Sequence, residues 1–570
     1  MWSDFGYSEE KKLGKPYDVK MLKRLYPFSR PYKRLLLCSI LLVMLITLLD
    51  LSLPYVTKIA IDRYIVPAQF TVDETAAGVS GDKTRYLRAN ITDKAIHGIV
   101  KKYKTKFIIK GSYARIPFDE LSTLEKKDLY VLRQDDLAGA GLVAAVFLLV
   151  VLLNFGLNFL QVMIMEYTGQ MIMHDLRVRL FNHIQTLSIA FFTRNPVGRL
   201  VTRVTNDVQN MHELFTSVIV FVFKDLFLLL GITIVLLSIN WKLALISFAV
   251  LPFVIYASIA FSGHAREAFR MLRIKVAEIN TKVSETLGGL TVIQLFGQTK
   301  ENYLNFKKLN HENYLAGMRQ VQIVAVFLPV IEFLGMIALA IVVFFGGNSV
   351  LTGTISLGAL VAFISYVKMF FRPIRDIAEK YNILQNAMAS AERIFLVLDN
   401  QERLPQPVLE TPIKPLVHDK IRDIRFNEVS FGYRDNETVL KRISFNIHAG
   451  EVLAVVGPTG SGKTSLIQLI LRFYDPTSGQ VLVNGQDIKK VEKSIFRSKM
   501  ALVMQDPFLF SGSIRDNIIY DNGNISQKEM DAILMASNCK HLVDKLPDGL
   551  ETILSEGGTS ISSGERQLIS

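Results

Sequence analysis

Gly457-Pro458-Thr459-Gly460-Ser461-Gly462-Lys463-Thr464 carries the spacing G-x-x-x-x-G-K-[ST]. The run Val452-Leu453-Ala454-Val455-Val456 just before it predicts a short buried strand, and Ser465 to Leu471 just after it predicts a helix. Strand, glycine loop and helix in that order make a phosphate cradle. The glycines let successive backbone N–H groups converge on an anion at a helix N-terminus, and Lys463 adds a point charge for the β and γ phosphates. Thr464 offers the hydroxyl that would hold Mg²⁺. Nucleotide binding is the expected chemistry of this segment.

The 570 residues are enough for several domains, half of them are hydrophobic, and the formal charge is +13. A mean hydropathy of +0.29 is high for a soluble protein. There is no arginine-rich tail, so a nucleic-acid partner is not expected; the charge fits Lys and Arg on the cytoplasmic side of membrane spans. The two cysteines, Cys38 and Cys539, allow neither a disulfide framework nor a Cys-based metal site. The first apolar stretch begins only at Leu35 behind a polar leader, so no cleavable signal peptide is expected.

A bilayer-crossing helix needs about 20 mostly apolar residues. Six segments qualify: Leu35–Ala60, Leu137–Met165, Leu214–Ile239, Leu243–Gly263, Val321–Phe345 and Val350–Phe371. A large soluble helical core would instead alternate apolar and polar faces. Spans three and four are joined by Asn240-Trp241-Lys242, and five and six by Gly346-Gly347-Asn348-Ser349. The connectors 166–213 and 264–320, of 48 and 57 residues, are rich in helix formers and in Lys and Arg. Two limbs of some 25 residues each would reach roughly 35 Å from the membrane. The positive-inside rule puts these arms, and both termini, in the cytoplasm.

Residues 1–34 read as a cytoplasmic leader ending in Tyr17–Arg34, whose mixed composition suits either a helix in the membrane interface or a plain solvated face. Residues 66–136 interrupt the pattern of short outer loops with 13 Lys/Arg against 10 Asp/Glu, and read as a small extracytoplasmic insert of mixed structure. The intramembrane charges Lys224, Asp225, Glu332 and Lys368 are candidates for substrate contact or for pairing between helices.

Cradle and spans together resemble a half-transporter of the ABC exporter family, over nearly all of the chain except the insert. The resemblance implies a type IV exporter fold: a membrane all-α domain of six helices over 35–400, a linker over 401–420, and an α/β P-loop nucleotide-binding domain over 421–570. Phe191-Phe192-Thr193-Arg194-Asn195-Pro196-Val197-Gly198 is similar to the family's first coupling helix; Asn195-Pro196 and Gly198 break the arm at its turn, and the two phenylalanines form an apolar knob. Thr286-Leu287-Gly288-Gly289-Leu290-Thr291-Val292 resembles the second coupling region. Ser390-Ala391-Glu392-Arg393 ends the helix leaving span six.

In the nucleotide domain, Tyr433 lies 24 residues before Gly457 and matches the adenine-stacking aromatic. Gln505 matches the glutamine that reaches Mg²⁺ and senses the coupling helices; Glu556, before Gly557-Gly558, matches a loop contacting them. Ser562-Ser563-Gly564-Glu565 resembles the signature that caps the γ-phosphate held by the partner subunit, with Ser563 for a glycine and Glu565 for a glutamine. The implied ligands are ATP and Mg²⁺. The implied partners are the lipid bilayer, a second half-transporter (a heterodimer, given the altered signature) and a hydrophobic or amphipathic small molecule, lipid or peptide. An ATP-gated channel or regulator on the same scaffold is the alternative. The family's Walker B aspartate, catalytic glutamate and switch histidine have no counterpart up to Ser570, so the chain reads as a truncated form whose nucleotide domain is incomplete and inactive by itself.

Overall fold

A computed structural model describes residues 19–65, 86–404, 420–434, 437–520 and 525–570. The leader up to residue 18, the start of the insert (66–85) and most of the expected linker (405–419) lie outside them. The chain forms two compact units. One comprises the residues up to Gln185 with Gly198–Asp399; the other joins Thr186–Val197 to Asn400–Ser570.

The first unit is built of long helices, chiefly Lys33–Ala60, Gln134–Thr186, Val220–Phe248, Leu251–Gly288, Thr299–Leu351 and Leu357–Leu398. Among the described residues, five helical stretches are long and apolar enough to cross a membrane: Lys23–Ile65, Gln134–Thr186, Val197–Phe248, Thr299–Leu351 and Leu357–Ile374. The expected fourth span, Leu243–Gly263, is not one helix. Pro252 has no N–H to give and sits in the first turn of Leu251–Gly288, so the apolar run is shared between that helix and the end of Val220–Phe248. The turn before it does fall at Asn240, whose backbone leaves the helical region while its side chain accepts from Leu243 N at 3.0 Å.

The turn between the last two spans is displaced from its expected place. Gly346-Gly347-Asn348-Ser349 is helical, and the chain turns at Thr352–Ser356. Gly346 is needed inside the helix because a Cβ there would meet Leu360 Cδ1 at 2.5 Å. Gly353 supplies the positive φ after the helix, and Ser356 caps the next by accepting from Ala359 N. Asp62 reinforces this start: its carboxylate accepts from Gly358 N at 2.8 Å and from Ser356 Oγ at 2.5 Å. The bundle core includes Leu236, Ile331, Val342, Phe363 and Tyr366, whose hydroxyl donates to Leu51 O at 2.6 Å.

Two segments singled out in the sequence meet at the arms. Asp207 accepts from Ser390 Oγ at 2.8 Å and from Arg393 Nε at 3.0 Å, tying the return limb of the first arm to the helix that leaves span six. The N-terminal helix Val19–Ser29 buries Leu25 and Phe28, and the Arg24 guanidinium lies 4.2 Å from the Phe395 ring centre. The insert is a three-stranded antiparallel sheet, with Tyr113–Pro117 between Tyr86–Asn90 and Ile108–Lys110, over a core of Ile99, Val100, Phe107, Ala114 and Ile116. Arg133 fastens its exit by donating to Tyr64 O at 2.7 Å.

The second unit has two apolar cores. One lies between a four-stranded antiparallel sheet (Leu440–His448, Asp423–Phe431, Ser478–Val483, Gln486–Asp487) and the helix Lys463–Ile470, with Phe426, Val429, Leu466, Leu469 and Val481 inside. The other gathers Ile514, Met530, Leu534, Leu542, Leu554 and Ile569 under short helices. Three of these, Ile514–Ile519, Gln527–Ala536 and Ser563–Ile569, each begin in a reciprocal serine–carboxylate cap. The expected buried strand Val452–Val456 is not realised. Val452 is 99% and Val456 87% exposed, and among the described residues no strand pairs with the run. A strand needs a ladder on at least one edge, and apolar composition cannot supply it.

Candidate functional site

The glycine loop is shaped by its backbone. Gly460 and Gly462 take φ of +87° and +94°, open to glycine at little cost. A Cβ on Gly462 would also meet Leu440 Cδ2 at 2.5 Å, so the loop lies hard against the sheet. Gly462 then starts the helix Lys463–Ile470, whose first N–H groups lack helical acceptors and face the loop formed by Gly457, Pro458, Thr459, Gly460 and Ser461. Lys463 Nζ donates to Gly457 O at 2.7 Å and to Pro458 O at 2.9 Å. Its ammonium is thus held over the loop, where phosphate oxygens would replace those carbonyls. The cradle fits a nucleoside triphosphate.

For Mg²⁺ the protein offers little more than the Thr464 hydroxyl and the Gln505 amide. No group of three or more His, Cys, Asp or Glu among the described residues could hold a metal. That suits an ion that takes most of its ligands from phosphate and water. Gln505 lies exposed at a bend.

Tyr433 stands beside the cradle. Its hydroxyl is 2.9 Å from Ser465 Oγ and 2.7 Å from Gln468 Oε1, both on the helix after the loop. Its ring packs edge-on against Phe431 and Tyr474, with centres 4.9 and 5.2 Å apart. Tyr474 escaped the sequence reading. Its position is prepared by Arg472, fully buried with a left-handed backbone, which donates to Val491 O at 3.0 Å and to Asp475 at 3.1 Å. An arginine followed by two aromatics and Asp-Pro, Arg472-Phe473-Tyr474-Asp475-Pro476, was the available signal.

Tyr474 also meets the tip of the first arm. Its hydroxyl is 3.0 Å from Thr193 Oγ1 on the short helix Ile189–Arg194. Ser188 N donates to Glu402 O at 2.8 Å, and Arg194 pairs with the Glu402 carboxylate. Phe191 is buried and packs edge-on against Phe192 at 5.6 Å. The tip, Tyr474 and Tyr433 therefore form a continuous chain of contacts up to the helix that follows the glycine loop.

The second coupling segment is different. Gly288 ends its limb, Gly289 makes the turn, and Leu290–Leu295 forms a short helix whose Leu290, Val292 and Leu295 are exposed, as is Phe296 after it. Nothing among the described residues of its own unit covers it.

The signature residues sit over the second core, apart from the loop's own. Ser562 caps Ser563–Ile569; Glu565 N donates to Ser562 Oγ, and the Glu565 carboxylate accepts from Ser562 N at 2.8 Å. That backbone donor, then the serine hydroxyl, holds the Glu565 carboxyl below its ordinary pKa. Ser563 and Gly564 lie in the first turn, with amides turned to the helix N-terminus. Glu556 is exposed in the turn Glu556–Gly558, anchored by Gly557 N on Leu509 O at 3.1 Å.

Two family models match the chain: an ABC transporter transmembrane region over residues 36–374, and an ABC transporter nucleotide domain over 440–570. An uncharacterised ABC transporter ATP-binding protein, YknV of Bacillus subtilis, is 36% identical over 73% of this chain and 68% of its own length. The ATP-dependent lipid A-core flippase of Syntrophus aciditrophicus is 34% identical over 74% and 70%. A probable multidrug resistance ABC transporter, YheH of Bacillus subtilis, is 29% identical over 97% and 86%.

Proposed function

The chain belongs to the ABC transporter family as an exporter half-transporter whose ATPase is coupled to transport, and from that premise we propose that it is one half of a heterodimer in the bacterial inner membrane. It exports a hydrophobic or amphipathic drug, lipid or peptide, with its nucleotide domain in the cytoplasm. ATP lies on the glycine loop with its adenine on Tyr433 and Mg²⁺ at Thr464 and Gln505. The partner's signature closes that site, and Ser562–Glu565 closes the partner's.

The observation that carries this reading is the contrast between the arm tips. One is packed into the nucleotide unit of its own chain; the other presents a bare apolar helix that a second half would cover. Preference for an unlike partner rests on Glu565. Its carboxylate adds a negative charge beside the amides that would receive a γ-phosphate, which weakens one of the two sites and leaves the other intact. Relatives named for lipid A and for multidrug resistance support an amphipathic cargo.

Co-expression with neighbouring ABC half-transporters tests the assembly. Co-purification of a distinct half, with one ATP retained per pair without turnover, is expected. A self-paired protein with two equally active sites would overturn the heterodimer.

A further inference from the structure

Two hollows in the membrane unit adjoin each other and differ sharply in character. One is an open cavity of about 230 Å³ in which the polar side chains of Gln161, Glu166, Thr216, Ser217 and Lys380 share the wall with Val162, Met165 and Val220. The other is an apolar cleft of about 110 Å³ among Leu36, Ile40, Val43, Phe215, Ile219 and Phe223. They share Met165 and Val220 as a common wall. Buried Gln161, which lines the first, donates to buried Ser39, which lines the second, at 3.4 Å.

The polar cavity is built rather than incidental. Leu214–Ile219 is a π-helical turn, which widens the helix and brings Thr216 and Ser217 to the lining; such turns concentrate at functional sites. Glu166 is held 3.2 Å from Nε2 of buried His212, and Gly169 lets the two helices touch, since a Cβ there would lie 2.6 Å from Thr216 Cγ2. In sequence, Glu166 follows the apolar run ending at Met165, Ser217 lies near the start of another, and Lys380 lies beyond the last span. The polar groups therefore belong to the cytoplasmic ends of spans two, three and six, the two charged ones to spans two and six. The cleft follows span one from Leu36 to Val43, a rise of about 10 Å into the hydrocarbon.

A polar hollow with both signs of charge, opening beside an apolar cleft, has the complementarity of an amphiphile. We propose that the two hollows form one subsite for a single-chain zwitterionic amphiphile of the cytoplasmic leaflet, its headgroup between Glu166 and Lys380 and its chain along Ile40 and Val43. Glu166 receives the cationic end and Lys380 the anionic end. This deepens the exporter reading and rests on it.

The test uses the full transporter in proteoliposomes and three probes with one shared fluorescent chain: a lysophosphatidylcholine, an alkyltrimethylammonium and a fatty acid. The zwitterion is expected to have the lowest KM. Glu166→Gln raises KM for the zwitterion and the ammonium about tenfold, and Lys380→Met does so for the zwitterion and the fatty acid, as loss of one charge-assisted contact predicts. Val220→Trp, which narrows the shared wall, raises KM for all three. Glu166→Asp restores part of the loss, and ATP binding and basal turnover stay at wild-type levels in every variant, showing that each is folded. Equal KM values for the three probes, or charge variants that shift all of them alike, would overturn the subsite. Transport of none of the probes, with other dyes still exported in a Lys463-dependent way, would overturn it and leave the exporter reading standing. Loss of every Lys463-dependent export would strike the exporter reading itself.

Discussion

The two arm tips are short helices of equal length with opposite surroundings. Each is a six-residue helix between long limbs, Ile189–Arg194 and Leu290–Leu295, and each carries apolar side chains. Phe191 is 3% exposed, whereas Leu295 is 77% and Phe296 68% exposed. Apolar content alone did not separate them. The first tip finds polar partners at fixed positions in the same compact unit: the Glu402 carbonyl and carboxylate, and the Tyr474 hydroxyl. The second finds none among the described residues of its unit, so its apolar face stays in water, as an interaction surface does.

The largest effect should come from removing what both tips are read against. Lys463→Ala deletes the ammonium over the glycine loop and should cut ATP affinity roughly 10- to 100-fold, the worth of one hydrogen bond from a charged group or slightly more. In the full-length transporter turnover and export should vanish together, read by an ATPase and a transport assay beside the ATP-binding titration. Unchanged affinity would mean that the cradle lies elsewhere.

Phe191→Ala with Phe192→Ala attacks the packed tip. Emptying the buried Phe191 site should lower stability by about 3 kcal/mol. Export should fail while ATP binding persists. Normal export by this variant would remove the packed tip from the coupling route.

The exposed tip should behave in the opposite way. Leu290→Asp with Leu295→Asp should change the stability of the chain by no more than about 0.5 kcal/mol, because neither side chain is buried. The same pair should reduce co-purification with the second half. A stability loss as large as that of the Phe191 variant would abolish the contrast.

Smaller still is Tyr474→Phe. It removes the hydroxyl facing Thr193 but keeps the ring against Tyr433, at a cost of about 1 kcal/mol. ATP affinity should stay put while the number of substrate molecules moved per ATP falls. A drop in affinity instead would show that Tyr474 serves the nucleotide and not the tip.

Acid should weaken the capped helices of the nucleotide unit. Asp516, Glu529 and Glu565 each accept from the serine that caps their helix, and each is held below its ordinary pKa by those bonds. Their charged forms favour the folded state, so the contribution is complete above about pH 4.3, the usual carboxylate value, and is lost as pH falls through the lower folded values. Thermal melts at pH 3 and pH 5 should differ less once Ser562→Ala removes one of these caps.

Much of this was legible in the chain because it is written locally. The glycine loop declares itself by spacing, since glycine takes the left-handed turns at Gly460 and Gly462 at the lowest cost. The membrane class follows from apolar runs, and the turn at Asn240 from Asn240-Trp241-Lys242 between two of them. What was misread depended on distant partners. Gly346 looks like part of a loop until Leu360 is found packed where its side chain would go. Val452–Val456 has the composition of a buried strand, but a strand is a relation between segments and none of those described takes that edge.

By itself, then, the sequence determined a membrane-embedded, nucleotide-driven chain with two long arms, because backbone propensity, glycine conformation and bilayer length are properties of neighbouring residues. Only the tertiary structure decided that one arm tip is packed and the other bare, that Tyr474 stands between Tyr433 and Thr193, and that Gln161, Glu166 and Lys380 share a cavity. Those facts join residues as much as 281 positions apart, as Thr193 and Tyr474 are. Such proximity is set by how helices and sheets pack, and no run of neighbouring residues encodes it.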